Sequence, residues 1–248
     1  MRIKVQDGFE WGTSLQDIVV PEGLRHKISS GVDYMDSALG GEGFTPSAVT
    51  LFTGEAGAGK TTMTLTLADQ LARAGNTVVF NTGEESLLQV KMTADRLGLL
   101  GAFKVGGEIH VPTLLKKCDA LRNSPKAKGK PFFLFIDSLQ CMDDGHYPDG
   151  QTNSKSAERA LAMFTDWAKA NYTNPVVIGQ VTKSGNFQGS NTLKHMVDTM
   201  VHLSVERKDP DLAGCRILET TKNRFGSSGM KQIMAITEGG FKMIGQTM

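Results

Sequence analysis

The chain has 248 residues, 40% of them hydrophobic and 21% charged, ordinary values for a globular protein and enough for one large α/β domain. Its 27 basic and 26 acidic residues leave a formal net charge of +1, so overall charge argues neither for nor against a nucleic-acid partner. No apolar run approaches the ~18 residues of a membrane span, and the N-terminus has no signal-peptide core, so a cytoplasmic protein with no membrane partner is expected.

Residues 1–27 read as an arm ahead of the core. Trp11, Leu15, Ile18, Val19 and Val20 are too apolar for a disordered tail, and Pro21 and Gly23 break the segment. Such a piece either packs on its own domain or docks on a neighbouring subunit. From Ile28 onward the chain reads as one domain, 28–248, with no repeat and no interdomain linker. Val32, Met35, Ala38 and Leu39 share a helical face that Gly40-Gly41 closes. The apolar run Val49-Thr50-Leu51-Phe52 is a buried strand. A helix follows, with Leu65, Leu67, Ala68, Leu71 and Ala72 on its inner side.

Between that strand and helix lies Gly54-Glu55-Ala56-Gly57-Ala58-Gly59-Lys60-Thr61, which fits the phosphate-binding pattern G-x-x-x-x-G-K-[ST] at every fixed position. Gly54, Gly57 and Gly59 are expected to let the backbone turn so that successive N–H groups face phosphate oxygens. The helix start adds its positive end. Lys60 reaches the β- and γ-phosphates and Thr61 offers a hydroxyl to magnesium. Nucleotide contacts are therefore expected along Gly54, Glu55, Ala56, Gly57, Ala58, Gly59, Lys60, Thr61 and Thr62, with ATP and Mg2+ as the cofactors.

Further along, residues 77–81 form a buried strand ending in Thr82-Gly83-Glu84-Glu85-Ser86, and a helix pattern covers 87–97. Six basic residues between 116 and 130 read as an exposed helix end and a solvated loop. Phe132 to Ile136 is an apolar strand that ends at Asp137. A polar stretch, 143–154, precedes a helix marked by Ala157, Leu161, Phe164 and Ala168. Another buried strand runs from Pro175 to Gln180, followed by a second polar stretch, 182–194. Strand-like runs at 199–205, 216–221 and 232–236 come close together, with Gly239-Gly240 as the last turn. Cys118, Cys141 and Cys215 form no C-x-x-C pair, which argues against a zinc ribbon or a disulfide framework. The early β–α alternation and crowded late strands predict a mostly parallel sheet flanked by helices, extended by antiparallel strands at one edge.

In a parallel sheet, ligands sit beyond the carboxyl ends of the strands, so those ends supply the site candidates. Asp137 is placed to hold magnesium with Thr61. Glu84 or Glu85 is placed to polarise water for attack on the γ-phosphate; spacing does not choose between them. Gln180 either senses the γ-phosphate or is simply a polar strand end. Lys222 and Arg224, on a late turn, either reach a phosphate on another subunit or are solvated.

The chain resembles the ATPase core of RadA (Sms) in the RecA superfamily over residues 28–244. The likeness rests on Gly31-Val32-Asp33 with Leu39-Gly40-Gly41, the glycine loop, Thr82-Gly83-Glu84-Glu85-Ser86 and Asp137-Ser138-Leu139-Gln140. It continues through Val181-Thr182-Lys183-Ser184-Gly185, His195-Met196-Val197-Asp198 and Lys222-Asn223-Arg224-Phe225-Gly226, the last being the most specific. The resemblance implies a RecA-like P-loop fold with Glu84 as the catalytic glutamate. It also implies that Lys222 and Arg224 act in trans, in a homo-oligomer that is a hexameric ring or a filament. Residues 143–154 and 182–194 would line a channel for single-stranded DNA, with Lys183 and Lys194 on phosphate. The arm around Leu15 to Val20 would dock between subunits. The implied activity is DNA-dependent ATP hydrolysis in recombination, strand annealing or branch migration. The competing expectation is a KaiC-like regulatory or scaffolding ATPase with no DNA partner. A small-molecule P-loop kinase is disfavoured because no arginine-rich lid segment is seen. RadA also carries a four-cysteine zinc module and a Lon-protease-like domain, neither of which is matched here, and RadA proteins often have histidine where this chain has Gln180. The expectation is a core-only relative, like the short recombinases and annealing ATPases of phages.

Overall fold

A computed structural model describes residues 11–153, 155–180 and 192–247. In chain order the elements are α1 (Asp33–Ala38), β1 (Thr50–Gly54), α2 (Lys60–Arg73), β2 (Thr77–Thr82), α3 (Leu87–Arg96), β3 (Lys104–Gly106) and α4 (Val111–Arg122). Then come β4 (Phe132–Asp137), α5 (Ser156–Asn171), β5 (Asn174–Gln180), α6 (Thr192–Met196), β6 (Thr199–Val205), β7 (Arg216–Asn223), β8 (Lys231–Thr237) and β9 (Gly240–Thr247). The strands form one sheet in the order β3-β2-β4-β5-β1-β6-β7-β8-β9. The first six of that order are parallel, and β7, β8 and β9 join antiparallel. This is the expected α/β architecture, a RecA-like core.

The apolar runs make the centre of the sheet because both faces are covered, and successive side chains go to opposite faces. Phe133 and Phe135 of β4 pack with Phe52, Phe80 and the α2 residues Leu65, Leu67 and Leu71. Phe132, Leu134 and Ile136 of the same strand pack on the other face with Leu114 of α4, Leu161 and Phe164 of α5, and Leu193 of α6. α1 ends as the sequence suggests: Gly41 N–H donates to Asp36 O at 2.7 Å and Gly40 N–H to Ser37 O at 3.1 Å, with positive φ at both glycines. α3 starts with a reciprocal cap between Ser86 and Gln89.

Two strands escape sequence reasoning. β3 has three residues, too few for a period, and β9 is an edge strand with mostly exposed side chains, so neither carries a buried alternation. The arm differs from a packed segment: over 11–27 it forms only short turns at Leu15–Asp17 and Glu22–Leu24. Trp11, Leu15, Val19 and Val20 all lie exposed. Residues 1–10 are outside the described residues.

Candidate active site

The register of the sheet gathers the site. Thr82 pairs with Asp137, and Gly54 pairs with Gln180 on one side and Leu203 on the other. The ends of β2, β4, β5 and β1 therefore stand side by side, around a cleft of about 390 Å³ lined by Lys60, Thr61, Thr62, Glu84, Asp137, Ser138 and Gln180 together with loop residues Ala56, Gly57 and Gly59.

The glycines of the loop serve different ends. Gly57 and Gly59 have positive φ (75° and 102°), as a turning loop requires. Gly54 does not; it is the last residue of β1, where a Cβ would stand 2.4 Å from the Leu203 carbonyl oxygen. That corrects the expectation that it turns the backbone: it permits close approach of β6. Gly59 is the N-cap of α2 and offers no side-chain acceptor. The first amides of the helix, at Gly59, Lys60, Thr61 and Thr62, thus have no intrahelical partner and suit an anion. Lys60 Nζ spans the loop, donating to Gly54 O at 2.9 Å and Glu55 O at 2.8 Å. Burial lowers its pKa, opposed by the negative charges of Asp137, Glu84 and Glu55.

Thr61 Oγ1 donates to Asp137 Oδ2 at 2.7 Å, so the hydroxyl and carboxylate expected to share magnesium are in contact. Burial lifts the Asp137 carboxyl to about 6; Thr61 opposes this, Glu84 and Glu85 add to it and Lys60 opposes it. Hard oxygens from one hydroxyl and one carboxylate, beside a phosphate loop, fit Mg2+, which takes few protein ligands and completes its shell with phosphates and water. Among the described residues there is no cluster of three or more His, Cys, Asp or Glu that would hold a metal by protein ligands alone.

Glu84 faces the cleft, and Gln180 Nε2 donates to its Oε1 at 2.7 Å. Ser138 Oγ donates to the same oxygen. Gln180 is tied in turn to the end of β4, its N–H donating to Gln140 Oε1 at 3.3 Å. Glu85 is not on the cleft, and its Oε2 is buried without a hydrogen-bond partner among the described residues. Geometry therefore separates two adjacent glutamates that spacing left equal.

Lys222 and Arg224 stand elsewhere. Thr199, at the start of β6, pairs with Asn223 of β7 and with Thr50 at the start of β1, so this turn sits at the opposite end of the sheet from Gly54. Four residues of strand put it about 13 Å below the phosphate loop. Lys222 Nζ donates to the carbonyls of Lys194 and Val197, both at 2.7 Å, and Arg224 pairs with Asp198 at 2.9 Å. Burial lowers the Lys222 pKa, and Arg224 adds to that while Asp198 opposes it.

The predicted DNA segments are only partly described. Lys183 lies outside the described residues; Lys194 is exposed on α6. The 143–154 stretch is anchored at its start, where Asp143 N–H donates to Ile109 O and Asp143 O accepts from Val111 N–H, and Asp144 pairs with Arg159. The stretch carries no Lys or Arg, so any grip on phosphate there would come from backbone amides and its polar side chains.

Three contacts have no sequence signal. Arg207 forms a two-pronged pair with Glu55 of the loop, at 2.9 and 2.8 Å. Arg216 Nε donates to Ala58 O at 3.2 Å. Phe241 and Ile236 approach Gly59, so the antiparallel extension buttresses the phosphate loop. These partners lie 152 or more residues apart in the chain, beyond any local pattern.

The fold and cleft define an ATPase core of the RecA superfamily, and comparison with known proteins agrees. The family model described as ATPase: KaiC matches residues 28–116. The DNA repair protein RadA of Mycobacterium tuberculosis is 32% identical over 203 residues, 80% of this chain and 39% of that protein. RadA of Streptococcus pyogenes is 32% identical over 216 residues (87% and 45%), and RadA of Aquifex aeolicus 30% over 221 residues (89% and 47%). The chain is a RadA-like ATPase core and spans less than half the length of these relatives. Among the described residues no helix is long and apolar enough to cross a membrane.

Proposed function

We propose that this chain is a DNA-stimulated ATPase that assembles on single-stranded DNA as a ring or filament and serves recombination, strand annealing or branch migration in the cytoplasm. The observation that carries the reading is the placement of Lys222 and Arg224. They stand at the far end of the sheet from their own phosphate loop, in the most specific of the RadA-like motifs. A basic turn that does not reach its own nucleotide is suited to a neighbour's, in the manner of an arginine finger. The exposed apolar arm, with Trp11, Leu15, Val19 and Val20 unburied, is then a docking segment for an adjacent copy.

Within one chain the chemistry divides as follows. The loop amides and Lys60 hold the β- and γ-phosphates. Thr61 and Asp137 would hold magnesium, which when bound neutralises charge on the phosphate oxygens. Glu84, oriented by Gln180 and Ser138, takes a proton from water as the water oxygen bonds to the γ-phosphorus. The bond from that phosphorus to the β–γ bridging oxygen breaks, leaving ADP and phosphate. Gln180 touches both Glu84 and Gln140, just beyond β4, which suits a γ-phosphate sensor. Lys222 and Arg224 of a neighbouring copy neutralise the charge that builds on the transferred group.

The match to the KaiC model and the near-neutral charge favour a second reading, a regulatory or scaffolding ATPase without DNA. An ATPase titration with single- and double-stranded DNA, beside sizing with a non-hydrolysable nucleotide, separates the two. Stimulation by single-stranded DNA with a nucleotide-dependent oligomer supports the first. An oligomer whose hydrolysis ignores DNA supports the second, and a monomer under every condition contradicts both.

A further inference from the structure

The motif His195-Met196-Val197-Asp198 takes no part in the chemistry above, yet its carboxylate is buried and fully engaged. Asp198 Oδ1 accepts from Arg224 Nη1 at 2.9 Å and Oδ2 from Val49 N–H at 3.1 Å. Its main chain repeats the pairing: the carbonyl accepts from Arg224 N–H at 3.0 Å, and the N–H donates to Val49 O at 3.1 Å. One residue thus ties the basic turn to the root of β1, the strand that carries the phosphate loop at its other end.

The same turn is tied to α6. Arg224 Nη2 donates to His195 O at 3.1 Å, and Lys222 Nζ caps the Lys194 and Val197 carbonyls. Both cations therefore rest on the carbonyl end of the helix that carries the exposed Lys194. A guanidinium held at two points has its plane set, which an ammonium does not. A carboxylate this buried is costly once its partner is removed, so the pair is a firm anchor.

We propose that Asp198 is a positioning residue for the intersubunit catalytic turn: with the carbonyl end of α6 it sets where Lys222 and Arg224 stand. Anything that grips Lys194 on that helix then acts on both cations together. This rests on the trans reading of Lys222 and Arg224 given above.

Asp198→Asn keeps the side-chain volume and an acceptor for Val49 N–H, and removes the charge facing Arg224. The expected result is a fall in kcat for ATP of about tenfold or more with KM changed less than about twofold, because the variant's own phosphate loop is intact. Mixing it with Lys60→Ala subunits, which lack a working loop and keep the turn, should restore turnover at the Asp198→Asn sites. A general structural defect would lower nucleotide affinity and would not be rescued. Wild-type kcat in a folded Asp198→Asn chain, with Arg224→Ala inactive, overturns this inference alone. Wild-type kcat in Arg224→Ala overturns the trans reading beneath it. Should Asp198→Asn lose its cooperative melt, Arg224→Lys carries the test: it keeps the charge and cannot span Asp198 and the His195 carbonyl together. A kcat as low as that of Arg224→Ala upholds the proposal, and wild-type kcat overturns it.

Discussion

Adjacent residues with the same side chain hold different positions here. Glu84 reaches the cleft and is gripped by Gln180 and Ser138, whereas Glu85 does not line it. Glu84→Gln should lower kcat by roughly 10² to 10⁴ while leaving nucleotide binding intact, and Glu85→Gln should leave kcat within about threefold, by steady-state ATP hydrolysis. Equal losses in the two variants would contradict the assignment. The Glu55–Arg207 pair gives a second prediction. The Arg207 hydrogen bond holds the Glu55 carboxyl below its ordinary value. A depressed carboxylate stabilises the fold above its unfolded pKa, about 4.3, and that contribution is lost as pH falls through the lower folded value. Arg207→Ala should therefore lower Tm at neutral pH, with the gap from wild type closing under acid, by thermal melts across pH. A gap that is constant with pH would sink the idea. The sequence made Lys60, Thr61 and Asp137 legible because their spacing is local or because an apolar run ends on them. Arg207 and Arg216 were not legible, since their partners are brought close only by folding.

At the scale of elements, the strand ends are what assemble the cleft. Four buried runs could be read as parallel strands, and parallel strands aligned in register bring their carboxyl ends together. Such a sheet sets Thr82 beside Asp137 and Gly54 beside Gln180, the second pair two residues beyond the first along β5. What the sequence hid was the role of the antiparallel extension. β9 alternates weakly and looks like a solvated edge, yet Phe241 reaches within contact of Gly59, and β6 lies so close to β1 that Gly54 has no room for a side chain. Gly54→Ala should cost about 1–3 kcal/mol in stability, as overpacking does, because backbone must move. Denaturant unfolding reads this directly, and an unchanged midpoint would mean that β1 and β6 separate more easily than their geometry suggests.

On the scale of the whole molecule, one chain holds the proposed ATP cleft and a basic turn at the opposite end of the strands. The arm adds an apolar strip in which Leu15 and Val19 are exposed among the described residues. A chain starting at residue 28 should keep the ATP-binding cleft and lose nucleotide-dependent assembly, with turnover falling as assembly does; sizing together with nucleotide titration checks both. An assembled, fully active truncation would assign the arm another task. The central claim is that the site is completed between subunits. Its most direct measurement is ATP turnover in mixtures of Lys60→Ala and Lys222→Ala chains at varied ratio with single-stranded DNA. Each variant alone should be nearly inactive, and the mixture should recover turnover, because Lys60→Ala subunits lend their basic turn to intact phosphate loops on Lys222→Ala subunits. Turnover that never exceeds the sum of the two separate variants would contradict the account.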